Sequence, residues 1–255
     1  MTDRVDLNCD MGESFGAYRI GADDDVFPFI TSTNIACGFH GGDPAVMRRT
    51  LARARELGVA AGAHPGLPDL IGFGRRTMDV SPDDVYGMVV YQIGALAAFA
   101  AAAGVRLQHV KAHGALYNMA AAQPELAGAI AAAVHDVDDG LVLFGLSGSH
   151  LIAAGNAAGL TTASEVFADR NYLGDGSLVP RSRPDAQVHD ADAAVARAVR
   201  MVRDGVVRTV DGDEIPMRAD TICIHADGPH AAVFARRLRD GFRDAGIAVQ
   251  AMGRR

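Results

Sequence analysis

Short runs in which apolar and polar residues alternate recur along this chain, and most are followed by a longer stretch whose apolar residues return every three or four positions. The first pattern belongs to strands with two unlike faces, the second to helices buried along one stripe. Strands are predicted at residues 5–10, 33–40, 59–64, 109–113, 141–146, 161–169, 221–227 and 247–252. Asp43-Pro44 caps a helix running to Leu57, and Ser81-Pro82-Asp83-Asp84 has the form of a capping box opening a helix to about residue 103. Further helices are predicted at residues 115–135, starting at Ser147-Gly148-Ser149, at 191–202 and from Pro229, with an irregular segment at 11–25. Asp211-Gly212 marks a hairpin turn between two β-prone runs. Residues 170–189 contain Gly174, Gly176, Pro180 and Pro184 without helical period, a loop long enough to be functional.

Seven or eight βα units predict an α/β fold: a TIM-like (β/α)7-8 barrel, irregular or incompletely closed, forming a single domain over residues 1–255. A doubly wound open sheet satisfies the same pattern. No GxGxxG follows a strand and no GxxxxGK[ST] occurs, so neither the dinucleotide fingerprint nor the Walker loop is present.

Composition narrows the partners. A chain with 49% hydrophobic and 22% charged residues can bury one large core, and a net charge of -7 argues against a nucleic-acid footprint. The beginning lacks the pattern of a signal peptide and no apolar run approaches the length of a membrane span, so a soluble cytoplasmic protein is expected. Cys9, Cys37 and Cys223 lie in apolar runs without CxxC spacing and are expected to be buried, reduced thiols.

Alternation brings chemistry to one face of the strands. Asp6, Asn8 and Asp10 oppose Val5, Leu7 and Cys9; His40 and His64 end the second and third strands; His109, Lys111 and His113 share a face of the fourth. Glu165 and Asp169 follow on the sixth, and Cys223, His225 and Asp227 on the seventh. In a barrel this face lines the lumen, and its C-terminal rim is where active sites lie. His109, two positions before Lys111, is expected nearer the floor and structural. Lys111 is the one lysine among 24 basic residues, a compact ammonium suited to proton transfer or to holding an oxyanion. Asp10 with some of His40, His64, His113 and His225 forms a candidate zinc or manganese site; the same groups equally suit a metal-free site that binds substrate and moves protons.

Six segments carry a resemblance: Asp6-Leu-Asn-Cys-Asp-Met-Gly-Glu13, Asn34-Ile-Ala-Cys-Gly-Phe-His-Gly-Gly-Asp43, Gly62-Ala-His-Pro65, Val110-Lys-Ala-His-Gly-Ala-Leu-Tyr-Asn118, Glu165-Val-Phe-Ala-Asp-Arg170 and Ile224-His-Ala-Asp227. In this order they resemble the LamB/YcsF family, with Cys9, Ala112 and Ala226 standing where alanine, proline and glycine are usual. The resemblance implies a barrel related to carbohydrate deacetylases that works with two partner subunits, B and C, to convert 5-oxo-L-proline, ATP and water into L-glutamate, ADP and phosphate. ATP, with magnesium, is then the expected cofactor. Asp10, Lys111, His113, Glu165, His225 and Asp227 are the catalytic candidates. Lys111 stabilises the oxyanion, and the others supply a general base or acid. Asn8, Glu13, His40, His64, Asn118 and Arg170 are the substrate-binding candidates, with Arg181 or Arg183 beside Arg170 for the substrate carboxylate. A stand-alone metal-dependent deacetylase or amidohydrolase, and a non-catalytic lactam- or sugar-binding barrel, account for the same polar cluster.

Overall fold

The computed structural model describes residues 3–188, 190–225 and 231–253. In chain order its strands are β1 (Arg4–Met11), β2 (Ser32–Ala36), β3 (Ala60–His64), β4 (His109–Lys111), β5 (Val142–Leu146), β6 (Thr161–Phe167), β7 (Val206–Arg208), β8 (Glu214–Pro216), β9 (Thr221–His225) and β10 (Ala248–Val249). The helices are α1 (Asp23–Val26), α2 (Pro44–Leu57), α3 (Pro82–Ala102), α4 (Gly114–Ala122), α5 (Pro124–Val137), α6 (His150–Ala157), α7 (Ala191–Asp204) and α8 (Ala231–Asp244).

Seven parallel strands close into a barrel. The order runs from β1 through β6 to β9, and β9 pairs back onto β1 along Asp6–Asp10. That pairing excludes the doubly wound alternative, since an open sheet leaves its two outer strands unpaired. The short β10 adds in parallel to Arg4 and Val5 at the start of β1, and β7 and β8 form the separate antiparallel hairpin whose turn contains Gly212 at φ 97°.

Strand alternation sorts the residues as expected. Val5, Leu7, Cys9 and Met11 are buried in the apolar layer, whereas Asp6, Asn8 and Asp10 enter the polar lumen. The lumen floor is built from paired polar groups: Asp6 accepts from the hydroxyls of Thr31 (2.6 Å), Ser32 (2.7 Å) and Thr221. His109 stacks on Phe144, with ring centroids 4.2 Å apart, above the backbone of Gly62, where any side chain would strike the imidazole.

Local chemistry explains the helix boundaries. Asp43 accepts from the backbone N–H groups of Ala45 and Val46, with Pro44 in the first helical position, and Ser81 and Asp84 form the reciprocal capping box of α3.

Several strands, β4, β6 and β10 among them, are shorter than the sequence pattern predicts, and three further departures bear on the site or the core. The second strand stops at Ala36, because Gly38 at φ 101° turns the chain, so His40 lies in a loop beyond it. The helix predicted over residues 115–135 is two helices, broken where Pro124 cannot donate and leaves Gln123 extended. Thirdly, α3 is long and apolar enough by composition to span a membrane, which revises the expectation that no apolar run approaches that length. Here its apolar residues serve a packed stripe, with Val85, Val89, Ile93 and Leu96 fully buried. The three cysteines are buried and unpaired, as expected.

Candidate active site

At the C-terminal rim of the barrel a cavity of about 760 Å³ opens between strand ends and loops. Its inner wall carries Asp10, Glu13, Lys111, His113, Tyr117 and Phe167, and its outer wall includes Arg75, Ser149, Asn118, Arg170 and Arg181.

Lys111 ends β4 with its side chain inside the lumen. Its Nζ lies 2.9 Å from Asp10 Oδ1, 3.0 Å from Glu165 Oε1, 3.0 Å from Cys223 Sγ and 3.4 Å from Asn8 Oδ1. Burial alone would lower its pKa, but Asp10 leads a group of neighbours that reverses the effect and holds it well above the usual lysine value. Burial raises the Cys223 pKa well above that of an ordinary thiol, so the two carboxylates rather than a thiolate balance the ammonium. Asn8 donates to Glu165 Oε1 at 2.9 Å and to Thr221 at 2.8 Å, and accepts from Asn34 at 2.7 Å. It therefore braces the carboxylate behind Lys111 and lies outside the cavity wall.

Beside this ion pair stand three buried imidazoles. His64 Nδ1 is 2.8 Å from the carbonyl of Lys111, and His113 Nε2 is 2.8 Å from the carbonyl of Phe73. A carbonyl only accepts, so each of those nitrogens carries the proton. The other two nitrogens, His64 Nε2 and His113 Nδ1, then face each other 3.0 Å apart. Two carboxylates close on the same point. Asp10 Oδ2 is 3.4 Å from His64 Nε2, and Glu13 Oε1 is 3.3 Å from His113 Nδ1 and 3.4 Å from His40 Nε2.

Such a convergence of imidazole and carboxylate groups suits a cation. The ligand atoms of Glu13, His40, His64 and His113 all lie within 4.8 Å of one another, so this buried cluster can bind a metal. Both His64 and His113 use the second ring nitrogen on a backbone carbonyl, the usual way of aiming a ligating imidazole. Burial, followed by the neighbouring imidazoles, pushes His40 and His113 well below the ordinary histidine pKa, leaving neutral rings with lone pairs to offer. Burial also raises the pKa of Glu13, the response of a carboxyl short of positive charge.

The loop after β3 shapes this cluster. His40 stacks on His113 with ring centroids 3.7 Å apart, and a Cβ at Gly66 would stand 2.5 Å from His40 Nδ1. Phe73 is held at φ 57°, a conformation costly for an aromatic residue, presents its carbonyl to His113 and meets the rings of His40 and His113 nearly at right angles.

The remaining candidates separate. Arg170 reaches the cavity, yet its guanidinium also donates to the carbonyls of Val179 (2.6 Å) and Ala186 (3.3 Å), tying the long loop together. Asn118 is exposed at the rim, and Arg183 pairs with Asp185 on the surface at 2.6 Å. The backbone of His225 pairs with Asp10 across β9 and β1; the side chain of His225 and the whole of Asp227 lie outside the described residues. Sequence reasoning alone passes over Phe73, Arg75 and Tyr117. Tyr117 belongs to the Val110–Asn118 motif, and its helical position four residues after His113 is the available signal.

These features define a class: a closed, TIM-like parallel barrel with a buried imidazole, carboxylate and ammonium site at the C-terminal strand ends. The pattern of the LamB/YcsF family matches residues 5–255, and the chain belongs to that family. It is 61% identical over 251 residues to the A subunit of the 5-oxoprolinase of Bordetella pertussis, covering 98% of this chain and 100% of the relative. Among solved structures, the lactam utilization protein of Thermus thermophilus superposes with a TM-score of 0.92 at 49% identity, over 98% of this chain and 100% of that one. The T48 deacetylase shares the fold alone, with a TM-score of 0.50 at 15% identity over 97% of this chain and 87% of that one.

Proposed function

We propose that this chain is the lactam-handling subunit of an ATP-dependent 5-oxoprolinase, acting with subunits B and C to open 5-oxo-L-proline to L-glutamate while ATP becomes ADP and phosphate. The observation that carries this reading is the meeting, on one wall of a cavity, of a charged Lys111 with His113, which leads the imidazole cluster behind it. A lactam is a stable amide, so its opening needs activation of the carbonyl and a basic group near water. ATP, as its magnesium complex, supplies the first by phosphorylating the amide oxygen.

In this reading Lys111 faces the oxygen on which charge develops, a preorganised positive charge in a dry site. Asp10 and Glu165 hold that charge in place, and Asp10 or His113 takes the proton from the attacking water. His225 and Asp227 remain further candidates for the acid or base. Arg170, with Arg181, holds the substrate carboxylate, while Glu13, His40, His64 and Asn118 frame the substrate. A zinc or manganese ion would be held by His64, His113, Glu13 and His40, with Asp10 adjoining, and would lower the pKa of a bound water.

The imidazole cluster also favours a second reading, a metal-dependent amidohydrolase that needs no ATP. Assaying glutamate formation with ATP and each partner omitted in turn separates the two. Loss of activity on every omission is the expected result, and turnover of an amide by this chain and metal alone would overturn the first reading.

A further inference from the structure

A buried polar atom without a partner marks a place where a ligand is missing from the hydrogen-bond account. Among the described cavity-lining residues, three such atoms remain: Glu13 Oε1, Ser149 Oγ and the hydroxyl of Tyr117. The first belongs to the imidazole cluster. Ser149 precedes α6 with nothing else to mark a ligand. Tyr117 has a second feature.

Tyr117 lies on α4, only 4% exposed, with its ring edge-on to Phe167 at 6.0 Å between centroids. The ring of Phe167 also carries Lys111 Nζ, 5.6 Å from its centroid. Phenol and ammonium therefore border one aromatic side chain at the same end of the cavity. An ammonium has three N–H groups, and Lys111 has three near acceptors in Asp10, Glu165 and Cys223. Its donors are committed. The Tyr117 hydroxyl makes no hydrogen bond of good geometry, although Glu165 is its nearest polar neighbour, so its proton remains available to a ligand. Burial, followed by the Glu165 carboxylate, holds its pKa well above that of ordinary tyrosine, which keeps it a neutral O–H.

Resting on the lactam reading above, we propose that the Tyr117 hydroxyl donates a hydrogen bond to the ring carbonyl oxygen of the bound lactam and so selects a cyclic amide over a carboxylated ring without that carbonyl. The bond strengthens as negative charge gathers on the oxygen. The competing account is that Tyr117 is only a brace for Glu165, whose Oε2 also lacks a partner.

Tyr117→Phe removes the oxygen and keeps the ring against Phe167, so it tells the two accounts apart. In the assembled enzyme, kcat/KM for 5-oxo-L-proline is measured beside the inhibition constant of cyclopentanecarboxylate, which has the ring and carboxylate but no carbonyl. Thermal melting of the full chain runs in parallel. Expected are a roughly tenfold fall in kcat/KM, an unchanged inhibition constant and a melting temperature unchanged or raised, since the hydroxyl makes no internal hydrogen bond of good geometry, its approach to Glu165 included. Unaltered kcat/KM, equal weakening toward both ligands, or a lowered melting temperature with parallel loss of activity would each overturn the inference. A wild-type enzyme inert toward 5-oxo-L-proline would instead overturn the lactam reading itself, and the inference with it.

Discussion

Lys111 shows how much one side chain can organise. Its ammonium is almost fully enclosed, and both carboxylates it touches are buried or nearly so. Removing one member of such a set strands the others. Lys111→Met is expected to cost about 3 kcal/mol of stability in urea unfolding and to abolish turnover. Lys111→Arg should also lose most activity, because a planar fork does not fit a site built for a point charge, and full activity in that variant would refute the role. His109 offers a pH test. Burial, followed by the charge of Lys111, lowers its pKa to about 3 in the folded chain. The folded pKa is thus below the unfolded one, so its contribution is complete above about pH 6.5 and is lost as pH falls toward 3. Replacing it by Gln should shrink the stability lost between pH 7 and 4.5 by about 2–3 kcal/mol, measured by urea unfolding at both values.

Among the elements, the loop between β3 and α3 does most to shape the site. It packs Gly66 against His40, and Gln92 of α3 anchors that glycine by bonding both its N–H (2.9 Å) and its carbonyl (3.0 Å). Gly66→Ala should therefore displace His40, costing about 1–3 kcal/mol in unfolding experiments and reducing metal content measured on the purified protein. Much at this scale was legible beforehand. The capping residues Asp43 and Ser81 announced α2 and α3, and strand alternation assigned Asp6, Asn8, Asp10 and Lys111 to one face. What was not legible has physical reasons. Phe73 has no sequence signal for a left-handed conformation, and Pro124 inside an apolar helical period was overridden by the surrounding pattern. Arg170 read as a carboxylate clamp, whereas two loop carbonyls that no spacing rule foresees claim part of its guanidinium.

For the whole molecule, barrel closure and the imidazole cluster are one matter, since the cluster draws on the ends of β1, β3 and β4 and on the loops beside them. A ligand that joins these segments and binds only the folded chain stabilises it by mass action. Zinc or manganese should raise the melting temperature in proportion to the logarithm of concentration, and a chelator should reverse it. Glu13→Gln should weaken the response by tenfold or more in metal concentration. A melting curve indifferent to both ions would exclude a resident metal of this kind.

Taken alone, the sequence determined the βα rhythm, the polar face of each strand, the singular lysine and the family motifs, because each depends on residue type and short-range period. Only the tertiary structure decided that β9 returns to β1, that Glu13 joins three imidazoles, and that Lys111 has its donors committed while Tyr117 does not. Those facts depend on distances between residues far apart in the chain, which close only when the barrel does. The strand that carries Lys111 and the polar face opposite it were visible as a pattern; which of those groups reach its ammonium was not.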